Sequence, residues 1–436
     1  MPLKLIIYEN CMEANEMNKQ KSINRWFRWE SELLVMTGMG AYFFKPGSEF
    51  YLSSKLQLLL ILIAGTCGGL LTIPCFDRPR SIWQRNFEIL LKVIVNLLYV
   101  IAISTVISDV LSLLWESFKV APNLLFYLGS FLVFILILPG YFKLLIDEKR
   151  PTLRMLAVFV FYFTSIQITG VLGLGNHYVS QFALLNWLVF IIGTSLVILA
   201  MDSWGYRFPR FRFNRGINYW WLALLVFPRF LFMFGAAGSW RRVISLPVTV
   251  KLATIGHGLL PITIYIGSTI LFICFKEELI FRYLFLNQIL AAVKGSTRAR
   301  VLKAALITSF LFGAWHLQNF SYQTVGATLL QVTAAFAMGM AFAIICLYTG
   351  TIWITIFMHS VFDLVVVDPI NSQSPFAGQP SAFLIEFILI TSAIQIVVAL
   401  LTIHLAKMRP FEQTIRDNQL LNSPRMTKHW VTEYSK

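Results

Sequence analysis

Three short polar patterns stand inside apolar sequence in the last third of the chain: Glu277-Glu278 with Arg282, Phe312 with His316, and His359 with Asp363. They set carboxylates, a guanidinium and two imidazoles among Phe, Ile, Leu and Val. A charge at the centre of a membrane helix costs roughly 2.5–3.5 kcal/mol on insertion scales, so such groups are most economically compensated by meeting one another. An ionisable cluster inside a bilayer is a functional-site hypothesis by default.

Spacing assigns the chemistry. Glu278 and Arg282 are four apart, share a helix face and pair. Glu277 points about 100° away from Glu278 and is free for another task. Phe312 and His316 are again four apart. So are His359 and Asp363, where a carboxylate one turn away orients an imidazole. Taken singly, each pattern also reads as a charge pair near the headgroups or a hydrogen-bonded helix-contact residue. Depth joins them. Counted at roughly 1.5 Å per residue from the helix ends that carry basic loops, Glu277 and His316 each lie about 20 Å in, His359 about 12 Å and Asp363 about 18 Å. Groups at a shared level build one water-containing pocket between helices. Glu277 is its base; His316, His359 and Asp363 are its donors, acceptors or orienters. This set suits activation of water against an amide and stabilisation of the oxyanion. The sequence has neither a Gly-x-Ser-x-Gly elbow nor HExxH, and no serine or cysteine nucleophile is indicated. Glu277, His316 and His359 also match the His₂Glu ligand set of a catalytic zinc; otherwise no cofactor is expected.

The elements that position these groups are membrane helices. The 436 residues are 57% apolar and 13% charged, with a mean hydropathy of +0.69, whereas a soluble domain is about 25% charged. Apolar runs near the roughly 20 residues needed to cross a bilayer recur along the chain, and alternating strands are absent, which argues against a barrel. The fold class expected is all-α, a polytopic bundle of about 10–11 spans. The runs lie near 56–74, 90–114, 123–145, 153–172, 183–201, 219–234, 261–290, 303–320, 326–348, 351–367 and 381–406. The four from 261 to 367 form the catalytic core. The corresponding division is a polar or interfacial arm at 1–55, an additional membrane region of unassigned role at 56–250, the core at 251–368, and a last helix with a basic tail at 369–436. Glu386, a lone carboxylate in the last run, reads as a helix-contact residue.

The net charge of +15 sits in loops and tails, where Lys and Arg set topology and touch anionic lipid; nucleic acid is not an expected partner. Basic loops at 143–154, 202–218 and 291–303 and the tail after Lys407 alternate with loops at 173–182, 321–325 and 368–380 that contain no Lys or Arg. The basic set is therefore cytoplasmic, and the pocket opens to that side of the cell membrane. Two stretches strain this scheme: the connection 235–260, expected outside, carries Arg241, Arg242 and Lys251, and the basic N-terminal arm falls outside unless Leu33–Phe44 crosses. The five cysteines have no CxxC or zinc spacing and imply no disulfide framework.

The order Glu277-Glu278-Leu-Ile-Phe-Arg282, Phe312-Gly-Ala-Trp-His316 and His359-Ser-Val-Phe-Asp363 resembles the CAAX protease and bacteriocin-processing family, also called the Abi family. Its members are intramembrane endopeptidases that carry EExxxR, FxxxH and HxxxN or HxxxD on separate transmembrane helices. The resemblance covers roughly 260–368. It implies a helical core with a cavity toward the cytoplasm, Glu277 activating the hydrolytic water, His316 and His359 in the active site, and structural or supporting roles for Glu278, Arg282 and Phe312. Asp363 stands where many members have Asn. An ionised Asp cannot donate to an oxyanion, so the implied role of Asp363 shifts toward orienting His359. Members have been described both as metalloproteases and as metal-independent glutamic proteases; the lack of HExxH favours the glutamic route. The expected substrate is a membrane-associated or hydrophobic peptide or protein. The alternative is non-enzymatic: a transporter or immunity-type membrane protein that uses the same cluster to bind a proton or small ligand.

Overall fold

The computed structural model describes residues 24–43 (41 excepted), 54–73, 81–118, 148, 150–171, 191, 193–237, 273–366 and 379–418. Among them the regular structure is helical throughout. The protein is an all-α membrane protein. The chain divides into two compact units, Met1–Leu196 and Val197–Lys436.

The first unit holds α1 (24–40), α2 (Ser54–Leu71), α3 (Ile82–Phe118) and α4 (Pro151–Val171). α3 packs against both α2 and α4. Its Lys92 is neutralised by Glu88 at 2.7 Å and Glu148 at 3.1 Å, a cation held between two carboxylates.

The second unit runs from within α5 (Gly193–Ser203). It continues through α6 (Tyr219–Ala237), then α7 in three consecutive pieces: Lys276–Glu278, a π-helix Leu279–Phe285, and Leu286–Ala292. After these come α8 (Thr297–Trp315), a 3₁₀ turn (His316–Ser321), α9 (Val325–Thr349), α10 (Trp353–Val366), α11 (Ala382–Leu405) and α12 (Arg409–Asn418). Hydroxyl caps fix three starts: Ser296, Thr324 and Ser381 accept from the backbone N–H groups of Ala299, Ala327 and Leu384, satisfying donors that have no intrahelical acceptor.

α9 is the axis of this unit. It packs against α6, α8, α10, α11 and α12, and most of its apolar length is buried. α8 reaches it closely through small residues. A Cβ on Gly339 would stand 2.9 Å from Ser309 Cα, and one on Gly313 would stand 3.1 Å from the Val332 carbonyl oxygen. Membrane helices, which gain little hydrophobic energy from meeting one another, associate by such close packing.

Three helices are long and apolar enough to cross a membrane, Ile82–Ile103, Val325–Thr349 and Ala382–Leu405, and five shorter apolar helices accompany them among the described residues. The expected runs at 56–74, 90–114, 153–172, 219–234, 326–348, 351–367 and 381–406 fall on helices. The run at 123–145, residues 183–190 and 192 of the run at 183–201, and the start of 261–290 lie outside the described residues, as do 238–260 and the loops at 173–182 and 368–378. The run expected at 303–320 is instead α8 from Thr297 to Trp315 followed by the 3₁₀ turn. The chemistry of His316 accounts for that end. Its backbone N–H bonds Gly313 O, while its side-chain Nδ1 takes the Phe312 carbonyl at 2.9 Å. The helix tightens where a side chain replaces the next ladder bond.

Candidate active site

Glu278 is the best-connected group of the cluster. Its Oε1 accepts from His359 Nδ1 at 3.0 Å and its Oε2 lies 3.2 Å from Arg282 Nε. Both partners are buried with it. The Arg282 guanidinium stands over Phe312 at 4.4 Å and near Phe342 at 5.5 Å. Ring faces thus help a carboxylate hold a cation that water does not reach. The π-helix beginning at Leu279 directly follows the two glutamates, and such wide turns inside α-helices recur at functional sites.

A carboxylate only accepts, so the bond to Glu278 places the proton of His359 on Nδ1 and turns Nε2 toward the other carboxylates. Glu277 Oε2 and Asp363 Oδ2 each lie 3.8 Å from Nε2. That is too long for a direct hydrogen bond and is a spacing that water bridges. Glu277 is the more open of the two glutamates, with 13% of its side chain exposed against none for Glu278. The same logic protonates His316 at Nδ1, because its partner is a carbonyl, and leaves Nε2 bare in the neutral ring. Phe312 is fully buried between the imidazoles, edge-to-face with His316 at 5.1 Å and with His359 at 6.1 Å between centroids.

The structure therefore brings Glu277, Glu278, Arg282, His359 and Asp363 into one cluster and joins His316 to it through Phe312. The orienting bond to His359 comes from Glu278 on α7 rather than from Asp363 on its own helix. Asp363 Oδ2 instead accepts from Cys274 Sγ at 3.3 Å.

Two participants are not among the residues expected from the sequence. Cys274 reads as a small hydrophobe in its apolar run. Arg229 follows Pro228 inside α6, is 3% exposed, and stacks on Phe362 at 3.4 Å. Its Nε and Nη2 have no hydrogen-bond partner, and it lies in the field of Asp363 and Glu278. A cation in the run Trp220–Phe234 is the signal that could have found it, since ionisable residues at membrane depth mark sites.

As zinc ligands the expected residues do not fit. Glu277, His316 and His359 are not a set whose ligand atoms lie within 4.8 Å of one another. Among the described residues the trio that meets this distance is Cys274, His359 and Asp363.

Residues 258–365 match the family model described as type II CAAX prenyl endopeptidase Rce1-like. This segment matches the CAAX protease family. It contains all three polar patterns, which lie on α7, across the end of α8 and its 3₁₀ turn, and on α10. No curated protein and no solved structure matches the chain. The match supports a CAAX-type intramembrane protease as the general activity of the segment. Arg229 lies outside the matched residues.

Proposed function

We propose that this protein hydrolyses a peptide bond in a membrane-associated or hydrophobic peptide or protein, with Glu277 activating the water. The observation that carries the reading is the 3.8 Å gap between Glu277 Oε2 and His359 Nε2, a width that one water spans with a hydrogen bond to each side. Glu277 takes a proton from that water as its oxygen attacks the scissile carbonyl carbon. The carbon–nitrogen bond then breaks, and Glu277 returns the proton to the leaving amine. Glu278 holds His359 so that Nε2 faces the water.

The oxyanion needs donors that an ionised Asp363 does not provide. Arg229 offers such donors, the N–H groups of Nε and Nη2. Because its expected ligands do not converge, no step is assigned to a metal. In this reading the site opens to the cytoplasmic side of the cell membrane, which the alternation of basic and uncharged loops supports.

The test is cleavage of a hydrophobic peptide library by purified protein in lipid bilayers. Wild type is expected to yield products that Glu277→Gln does not. Equal product from both would remove Glu277 from the mechanism.

A further inference from the structure

The loop between α5 and α6 encloses a cavity of about 220 Å³ lined by Arg207, Arg210, Arg212 and Arg215, with Asp417 of α12 as its one carboxylate. None of the active-site residues borders it. All four arginines are solvent-exposed, and none of their guanidiniums has a protein partner among the described residues.

Their backbone, by contrast, is fixed. Asn214 is buried and donates through Nδ2 to Tyr348 O at 3.2 Å, Pro410 O at 2.8 Å and Thr414 Oγ1 at 2.6 Å. Its N–H bonds Thr349 O at 2.8 Å, and the Asn218 N–H bonds Tyr348 Oη at 2.7 Å. Phe211 lies flat on Trp353, centroids 3.9 Å apart and planes at 10°. Gly350, at φ +77°, admits Asn214: a Cβ there would stand 2.5 Å from Asn214 Oδ1. A chain pinned at so many points presents four forked cations around a cavity that holds a single carboxylate, Asp417. Arginine forks match phosphate geometry.

The position names the source of the phosphate. The loop is tied to the end of α9 at Thr349, the start of α10 at Trp353 and the start of α12 at Pro410, and it leads directly into α6. Apolar helices begin and end here, and the ends of membrane helices are where headgroups are met. Exposed aromatics mark that level: Phe211 is 80% exposed, and Tyr219 and Trp220 on the first turn of α6 are also exposed, as aromatic residues at membrane–water boundaries are. We propose that this cavity binds the phosphate of an anionic phospholipid headgroup, a site separate from the peptidase centre and independent of its chemistry.

The test is native mass spectrometry of the full-length protein released from nanodiscs of equal phosphatidylglycerol and phosphatidylcholine. Wild type is expected to retain phosphatidylglycerol selectively. An Arg210→Gln, Arg212→Gln variant is expected to lose that retention by roughly thirtyfold, about one kcal/mol of headgroup attraction per arginine. An Arg25→Gln, Arg28→Gln variant, which removes the same charge from α1, is expected to keep it. Unchanged tryptophan fluorescence at the Phe211–Trp353 stack checks that the loop stays folded. Equal retention by wild type and the loop variant overturns the proposal, as does equal loss in the α1 variant. Stabilisation of wild type by inorganic phosphate, without selective lipid retention, would assign the cavity to a free ion and overturn the lipid assignment.

Discussion

His359 is held by Glu278 across 81 residues of sequence and not by the carboxylate on its own helix: Nδ1 is 3.0 Å from Glu278 Oε1, while Asp363 Oδ2 stands 3.8 Å from Nε2. One carboxylate thereby serves two cations or donors, since its second oxygen pairs with Arg282. The relay Arg282–Glu278–His359 is buried along its length, so its members stand or fall together.

Removing one charge from this relay exposes the other. Glu278→Gln leaves Arg282 buried with no carboxylate and is expected to cost about 3–5 kcal/mol of stability. Pairing it with Arg282→Met is expected to recover most of that loss while leaving peptidase activity reduced, because a neutral amide oxygen holds the His359 Nδ1–H more weakly than a carboxylate does. Equilibrium denaturation in detergent, run as a double-mutant cycle, measures the coupling.

Phe312 separates the two imidazoles and supports the Arg282 guanidinium. Phe312→Ala opens a cavity at the centre of the site and is expected to cost about 3–5 kcal/mol, with Phe312→Leu losing less stability but still lowering kcat. Thermal unfolding and kcat measured on the same preparations distinguish packing from positioning.

The close approach of α8 to α9 leaves no room for a side chain at position 339. Gly339→Ala brings a Cβ to 2.9 Å from Ser309 Cα and is expected to destabilise by about 1–3 kcal/mol despite the better helix propensity of alanine. Displacement of α8 carries Phe312 and His316 with it, so kcat is expected to fall as well. A Gly339→Ala protein at full stability and full activity would show that the helix contact is looser than the geometry indicates.

The i,i+4 relationships were legible in the sequence because a helix fixes them locally. Arg282 does pair with Glu278, and His316 does reach back to Phe312, although to its carbonyl. The convergence of α7, α8 and α10 was legible from the cost of burying charge. What local spacing could not give was the choice between two carboxylates for His359, which tertiary packing makes. Nor could it give the π-helix after Glu278, which shifts register without a Gly or Pro to announce it. Cys274 shows the same limit: its bond to Asp363 joins residues far apart in the chain. Arg229 was legible as a cation in an apolar run, but no helical spacing ties it to Asp363 or Glu278, which approach it only in the packed structure.

Arg229 is expected to act in the transition state more than in substrate binding. Arg229→Gln should lower kcat by roughly ten- to a hundredfold with KM nearly unchanged, and Arg229→Lys should restore part of the loss. Steady-state kinetics of the three proteins on one peptide decides this. A change confined to KM would make Arg229 a substrate-binding residue.

Activation of water by Glu277 for peptide hydrolysis is tested most directly by comparing membrane-peptide termini in cells, a measurement that needs no substrate chosen in advance. Cells expressing wild type are set against cells expressing Glu277→Gln at equal abundance, with thermal stability of the purified variant checked against wild type. A discrete set of new termini is expected in wild type that the variant lacks, a loss on the order of 10²–10⁴-fold for a general base. Identical termini from a folded variant would contradict this role and leave the cluster as a binding or transport site.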